Sequence, residues 1–156
     1  MNTIYYSSPV GLLEITESDN YITGLRFVSL TQEKKENTTP LLMEAQKQLS
    51  EYFSGKRFKF DLPIKQSGTT FQQKAWEYLL SIPYGQTISY KEEAEGLGSS
   101  KACRAVGSAN GKNNIAIIVP CHRVINTNNK LGGYAYGLDV KRKLLDMEKR
   151  FASLHI

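Results

Sequence analysis

The sequence predicts an α/β (α+β) chain in two parts. A small antiparallel sheet with one helix is expected over 1–66, and a mostly helical domain with a helix-turn-helix over 67–156. Three observations lead there. Runs of β-branched and aromatic residues, separated by turn residues, open the chain. Apolar residues at helical spacing dominate beyond about residue 68. The composition, 40% apolar and 22% charged over 156 residues, is that of an ordinary globular protein long enough to bury a core without staples.

Residues 3–7, 12–16 and 21–28 are the strand candidates, divided by Pro9-Val10-Gly11 and Ser18-Asp19-Asn20, and they form an antiparallel meander. Residues 31–39 are polar and charged, a surface loop. Pro40 opens a helix with Leu41, Leu42, Ala45, Leu49, Tyr52 and Phe53 on one face and Gly55 beyond its end. Residues 58–60 are a candidate short strand, and 61–68, with Pro63 and Gly68, is the natural linker.

In the second part Thr69 or Thr70 caps a helix running to about Ser81, with Phe71, Ala75, Trp76, Leu79 and Leu80 at helical spacing. Pro83 and Gly85 stop it. Ser89 caps a short helix over 90–95, Gly96-Leu97-Gly98 turns, and Ser99 or Ser100 caps another helix over about 101–109. Helix, Gly-containing turn, helix is the helix-turn-helix pattern, although many short helix pairs share it and bind nothing. Ala102, Cys103, Ala105, Val106 and Gly107 make the second helix small-sided. Small side chains permit close backbone approach, either to a DNA minor groove or to the first helix. Lys101 and Arg104 are its cations. Arg104 suits a phosphate contact, a probe into the base stack, or a solvated face. Residues 115–119, all apolar, read as a buried strand ended by Pro120, and 138–150 is the last helix.

The net charge is +5. Residues 1–66 hold eight basic and eight acidic side chains, and residues 67–156 hold twelve and seven, so the whole excess lies in the second part. A basic half beside a neutral one fits either a polyanion partner or simple solubility. The N-terminus lacks a basic start and a long apolar core, and no stretch is long enough to span a bilayer. Membrane association is therefore not expected, the sequon at Asn37 carries no weight, and free cysteines point to the cytosol.

Two Cys and two His exclude a disulfide framework. A zinc site would need all four, and His155 lies one residue from the end, so no metal and no cofactor are expected. What stands out is Cys121 beside His122, directly after the buried run. A nucleophilic thiol must be largely thiolate, which a free cysteine with a pKa of about 8.5 is not. His122 and Arg123 are the nearby groups able to change that. Neighbouring side chains diverge in a strand or a helix, so the imidazole acts on the sulfur indirectly, through an ordered water or through the local field. A working base needs an orienting group, and carboxylates of the last helix, Glu148 among them, are the candidates. The plain alternative is that Cys121 is a small buried apolar residue.

Pro120-Cys121-His122-Arg123-Val124, preceded by IAIIV and followed by LGGYAYG, resembles the active-site signature of the O6-alkylguanine-DNA alkyltransferases. GTTFQQKAW, IPYGQTISY, RAVGSAN and KRKLLDMEK match in the same order and spacing. The resemblance covers most of 67–156. It implies a ribonuclease-H-like fold for 1–66 as a supporting domain, and a winged-helix-like fold for 67–156 as the DNA-binding and alkyl-acceptor domain. It further implies a monomer that repairs double-stranded DNA containing O6-alkylguanine, with O4-methylthymine as a second candidate substrate. By resemblance, Cys121 accepts the alkyl group once and irreversibly, His122 takes the thiol proton through a water, and Glu148 orients His122. Asn113 holds the surroundings of Cys121, and Tyr90 donates a hydrogen bond to the departing guanine. Tyr134 and Ala135 close the base pocket, Arg104 fills the gap left by the flipped nucleotide, and Lys101, Ala102 and Ala105 belong to the DNA-facing helix. Asn114 replaces a Pro found in many members, Ala135 a Ser found in some, and Ser99-Ser100 lacks a Pro that some carry. Members with a structural zinc hold it in the N-terminal part, which here has neither Cys nor His. Two other classes compete: a Cys-His hydrolase, for which nothing beyond PCH suggests an oxyanion hole, and a DNA-binding regulator whose thiol is structural or a sensor.

Overall fold

The computed structural model describes residues 1–29 and 35–155. The chain divides into two compact units, Met1–Gln66 and Ser67–Ile156. Of the expected polar loop, residues 31–34 lie outside the described residues.

The first unit begins with an antiparallel meander, β1 (Asn2–Ser8), β2 (Gly11–Ser18) and β3 (Tyr21–Phe27). Ser18 pairs with Tyr21, leaving Asp19 and Asn20 as a two-residue loop with φ of 51° and 65°. Asp and Asn tolerate that left-handed geometry, which matches the twist of the flanking strands. Ile4, Leu13, Ile15, Ile22 and Leu25 are buried and face α1 (Pro40–Phe53), whose Leu42, Ala45, Leu49 and Tyr52 are fully buried. Thr39 caps α1 by accepting from Leu42 N–H, and Pro40 sits at its first position.

The expected strand at 58–60 does not form. Buried Gln48 of α1 instead holds the returning chain at Asp61, accepting from its N–H (2.9 Å) and donating to its carbonyl (3.0 Å). Ile64 then bridges Ile22 in parallel, with Ile22 N–H donating to Pro63 O and Lys65 N–H to Ile22 O. Part of the expected linker is thus a rung of the sheet, because β3 had one edge left to satisfy.

The second unit starts with α2 (Thr70–Leu79), closed by a capping box between Thr69 and Gln72. A second capping box, Ser89 with Glu92, starts α3 (Tyr90–Gly96). α4 (Cys103–Gly111) begins later than the sequence suggested. Ala102 is its N-cap without a side-chain bond, so neither Ser99 nor Ser100 caps it and Lys101 precedes it. Ser99 N–H turns back to Ala94 O to close α3, and one more turn, Ala102 N–H to Ser99 O, is needed before the new helix can start. Trp76 of α2 donates its Nε1–H to Ala109 O at 2.8 Å, tying α2 to α4. β4 (Ile88–Ser89) pairs in parallel with β5 (Val124–Ile125), and α5 (Leu138–Ser153) ends the fold.

Residues 115–119 are buried as expected, but they form a tight turn and not a strand. Ile118 N–H donates to Ala116 O and Val119 N–H to Ile115 O, with Ile117 at φ 70°. Asn113 takes the groups a ladder would use: its Oδ1 accepts from Ile115 N–H, and its Nδ2 donates to Val119 O at 2.9 Å. An apolar run buried on all sides has the same composition whether extended or coiled.

Candidate active site

Pro120 ends the buried turn, and Cys121–Arg123 form one turn of 3-10 helix. Successive side chains there diverge by about 120°, so Cys121 and His122 point apart, and no thiol–imidazole hydrogen bond occurs between them. His122 is fully buried and points to α5. Its Nε2–H donates to Glu148 Oε2 at 2.7 Å, while its Nδ1 is buried and makes no hydrogen bond. With the carboxylate fixing the hydrogen on Nε2, the lone pair is left on Nδ1.

Glu148 also accepts from Arg123 Nε at 2.8 Å and Arg123 Nη2 at 3.1 Å. Burial alone would push the Glu148 carboxyl up, but His122 and Arg123 together outweigh it and hold it well below the usual carboxylate range. Arg123, a sequence candidate for the cation beside the thiol, is therefore committed elsewhere, its remaining donor going to Ile82 O at 2.8 Å.

The cation whose charge reaches Cys121 is Lys141, which sequence reasoning did not single out. It is fully buried, donating to Val124 O at 2.6 Å, to Gly133 O at 3.0 Å and to Leu131 O. Burial pulls its ammonium down to about 8, partly opposed by Cys121. A signal existed: Lys141, Leu144 and Glu148 share the buried face of α5 at i, i+3, i+7. Burial pushes the Cys121 thiol up, and Asn113 and Lys141 pull against it. Asn113 Nδ2 lies 3.5 Å from Cys121 Sγ.

Cys121 opens into a cavity of about 470 Å³ lined by Tyr90, Arg104, Asn110, Tyr134 and Ala135, among others. Its walls come from α3, α4 and the 131–135 segment that Lys141 holds. Tyr90 OH donates to Gly133 O at 3.4 Å, and burial raises its pKa. Tyr134 OH is buried without a hydrogen bond, its pKa pushed well up by burial. One face of α4 lines the cavity through Cys103, Arg104, Gly107, Asn110 and Gly111. Of the sequence-predicted residues, Lys101, Ala102 and Ala105 do not line it: Lys101 and Ala105 are exposed and Ala102 is half-buried. Cys103, one of the small residues of that helix, is at the cavity with its Sγ–H donating to Ser100 O at 3.4 Å. Among the described residues, no helix is long and apolar enough to cross a membrane.

The chain is similar to known proteins along its length. A family model described as the ribonuclease-like domain of 6-O-methylguanine DNA methyltransferase matches residues 1–66, and one described as that protein's DNA binding domain matches residues 70–150. The constitutive methylated-DNA–protein-cysteine methyltransferase of Bacillus subtilis is 46% identical over 93% of this chain and 95% of its own length. The Mycobacterium tuberculosis methylated-DNA–protein-cysteine methyltransferase is 47% identical over 91% and 88%. The crystal structure of Mycobacterium tuberculosis OGT in complex with DNA superposes with a TM-score of 0.88 at 43% identity, covering 97% of this chain and 94% of that one. Both halves and the whole chain agree, and the protein belongs to the O6-methylguanine DNA methyltransferase family.

Proposed function

We propose that this protein repairs double-stranded DNA by moving the alkyl group from O6 of guanine to the thiol of Cys121, once per molecule. The observation that carries it is Cys121 Sγ at a base-sized cavity, backed by a buried imidazole that Glu148 holds at 2.7 Å. The family and the DNA-bound structural neighbour support the substrate.

The base must leave the stack, since O6 inside a duplex is beyond a thiolate, and flipping costs a few kcal/mol. His122 Nδ1 takes the thiol proton through a bridging water, and the resulting imidazolium is stabilised by Glu148. The sulfur attacks the alkyl carbon in line. The S–C bond forms, the C–O6 bond breaks, and its electron pair leaves on the guanine, which recovers a proton from solvent. Tyr90 donates a hydrogen bond to the leaving base as that charge grows. Asn113 fixes the turn that presents the sulfur, Tyr134 and Ala135 bound the base, and Arg104 fills the duplex gap. Lys101 just before α4, Ala102 at its N-cap and Ala105 in its first turn face the DNA. Residues 67–156 bind DNA and accept the alkyl group, residues 1–66 support them, and the protein works as a cytosolic monomer. The thioether has no leaving group to release, so the sulfur is spent.

Intact mass after mixing with a duplex holding one O6-methylguanine tests this. The expected result is a gain of one methyl group on Cys121, with no turnover at excess substrate. Methyl transfer to Cys121→Ser would overturn the nucleophile assignment, and no mass gain at all would favour a regulator.

A further inference from the structure

Glu93 of α3 is fully buried and is not used by the chemistry above. Its Oε1 accepts from Asn110 Nδ2 at 2.8 Å. Its Oε2 and Asn110 Oδ1 are both buried without a hydrogen bond. A carboxylate is acceptor-only, so an ionised Glu93 leaves two acceptors facing one amide. A proton on Oε2 supplies the one donor that both orphaned oxygens lack. With that proton the two side chains can close an acid–amide pair, adding Glu93 O–H to Asn110 Oδ1 to the observed bond from Asn110 N–H to Glu93 Oε1. Burying a neutral, twice-bonded carboxyl is also far cheaper than burying a charge.

Among the described residues, no cation offsets a charge on Glu93. On α3 itself, Lys91, Glu92 and Glu95 are exposed, and Tyr90 is the other ionisable group that feels it. α2 turns Lys74 and Glu77 to solvent, with Tyr78 against Gly96. The one charged side chain of α4, Arg104, is exposed. β4 and β5 carry no ionisable side chain. From the 3-10 turn the facing group is Cys121, whose thiol a charged Glu93 would push up. Lys141 of α5 is bound to three carbonyls. Burial accordingly raises the Glu93 carboxyl to about 7, with the Asn110 bond pulling the other way.

We propose that Glu93 is a positioning residue that works as a neutral acid: paired with the Asn110 amide, it fixes that wall of the Cys121 cavity and keeps negative charge away from the forming thiolate. Asn110 and Cys121 line the same cavity, so ionisation of Glu93 both loosens the wall and opposes loss of the thiol proton. This role rests on the alkyl-transfer function proposed above.

The test has two arms. In the first, the alkyl-transfer rate on O6-methylguanine duplex is followed against pH for wild type and Glu93→Gln, whose amide offers one donor and one acceptor at every pH. The ratio of the Glu93→Gln rate to the wild-type rate should rise about tenfold from pH 6 to pH 8, since a group titrating near 7 loses most of its proton across that span. A ratio flat with pH overturns the proposal. In the second arm, the Glu93 carboxyl carbon of ¹³C-glutamate-labelled protein, assigned by its loss in Glu93→Gln, is titrated by NMR without DNA. Titration near neutral pH supports the neutral acid, and titration in the ordinary glutamate range overturns it. Absence of alkyl transfer to wild type would sink the proposed function while leaving this second arm to decide the state of Glu93.

Discussion

Glu148 Oε2 lies 2.7 Å from His122 Nε2, and the same carboxylate takes two hydrogen bonds from Arg123. One buried group therefore fixes the His122 imidazole and neutralises a buried cation. Glu148→Gln keeps the shape but not the charge, and should slow alkyl transfer by about ten- to a hundredfold, read as a single-turnover rate. Glu148→Ala leaves Arg123 buried and unpaired, and should cost roughly 3–5 kcal/mol in denaturant unfolding. A wild-type rate in Glu148→Gln would show that His122 needs no orienting.

The same pairing fixes an acid dependence. The Glu148 carboxyl is held well below the 4.5 of a free glutamate. Its contribution to stability is thus complete above that value and is lost progressively as the pH falls below it, through the lower value of the folded protein. Glu148→Gln should flatten the fall of Tm with pH across that window. Parallel Tm curves for the two proteins would mean that other carboxyls govern acid unfolding.

Asn113 holds a strained backbone. Ile117 is β-branched at φ 70°, a conformation costing about 1–3 kcal/mol unless its surroundings enforce it. Asn113→Ala strips Ile115 N–H of its side-chain acceptor and Val119 O of one of its two donors, leaving it Cys121 N–H. We expect a loss of roughly 2–4 kcal/mol and slower alkylation by free O6-benzylguanine. Unchanged stability would mean that the turn holds itself.

Gly132 makes room for Tyr90. It has φ 70°, and a Cβ built there would lie 2.8 Å from Tyr90 Cε2. Gly132→Ala should push the Tyr90 ring aside and slow alkyl transfer about tenfold or more, with duplex affinity little changed by gel shift. A rate equal to wild type would remove Tyr90 placement from the rate-setting features.

Arg104 is exposed at the cavity edge. If it fills the gap in the duplex, Arg104→Ala should weaken repair of O6-methylguanine in duplex DNA by about tenfold or more, since flipping costs a few kcal/mol. Reaction with free O6-benzylguanine, which needs no flipping, should hardly change. Equal losses on both substrates would sink that role.

Several elements were legible because they depend on local chemistry. The three strands, the Pro40 start of α1 and the Ser89 cap follow from residue type and spacing, and Thr69 is the one of the two cap candidates for α2 that serves. Others were not. The apolar run before Cys121 reads as a strand because its composition reports burial, while its shape is imposed by Asn113. The start of α4 moved because Ser99 N–H was needed to close α3.

By itself, the sequence determined the two-part α+β architecture, the basic second half and the Cys121-His122 pair, with Glu148 as the orienting candidate. Only the tertiary structure decided which charged groups serve the site. Arg123 is adjacent in sequence to His122 yet spends its guanidinium on Glu148 and Ile82 O. Lys141, twenty positions from Cys121, supplies the charge that reaches the sulfur. The Glu93–Asn110 pair also joins residues far apart in the chain. The reason is physical. Propensity, capping and periodicity act within a few residues, whereas the ionisation of a buried group is set by whatever the fold packs around it.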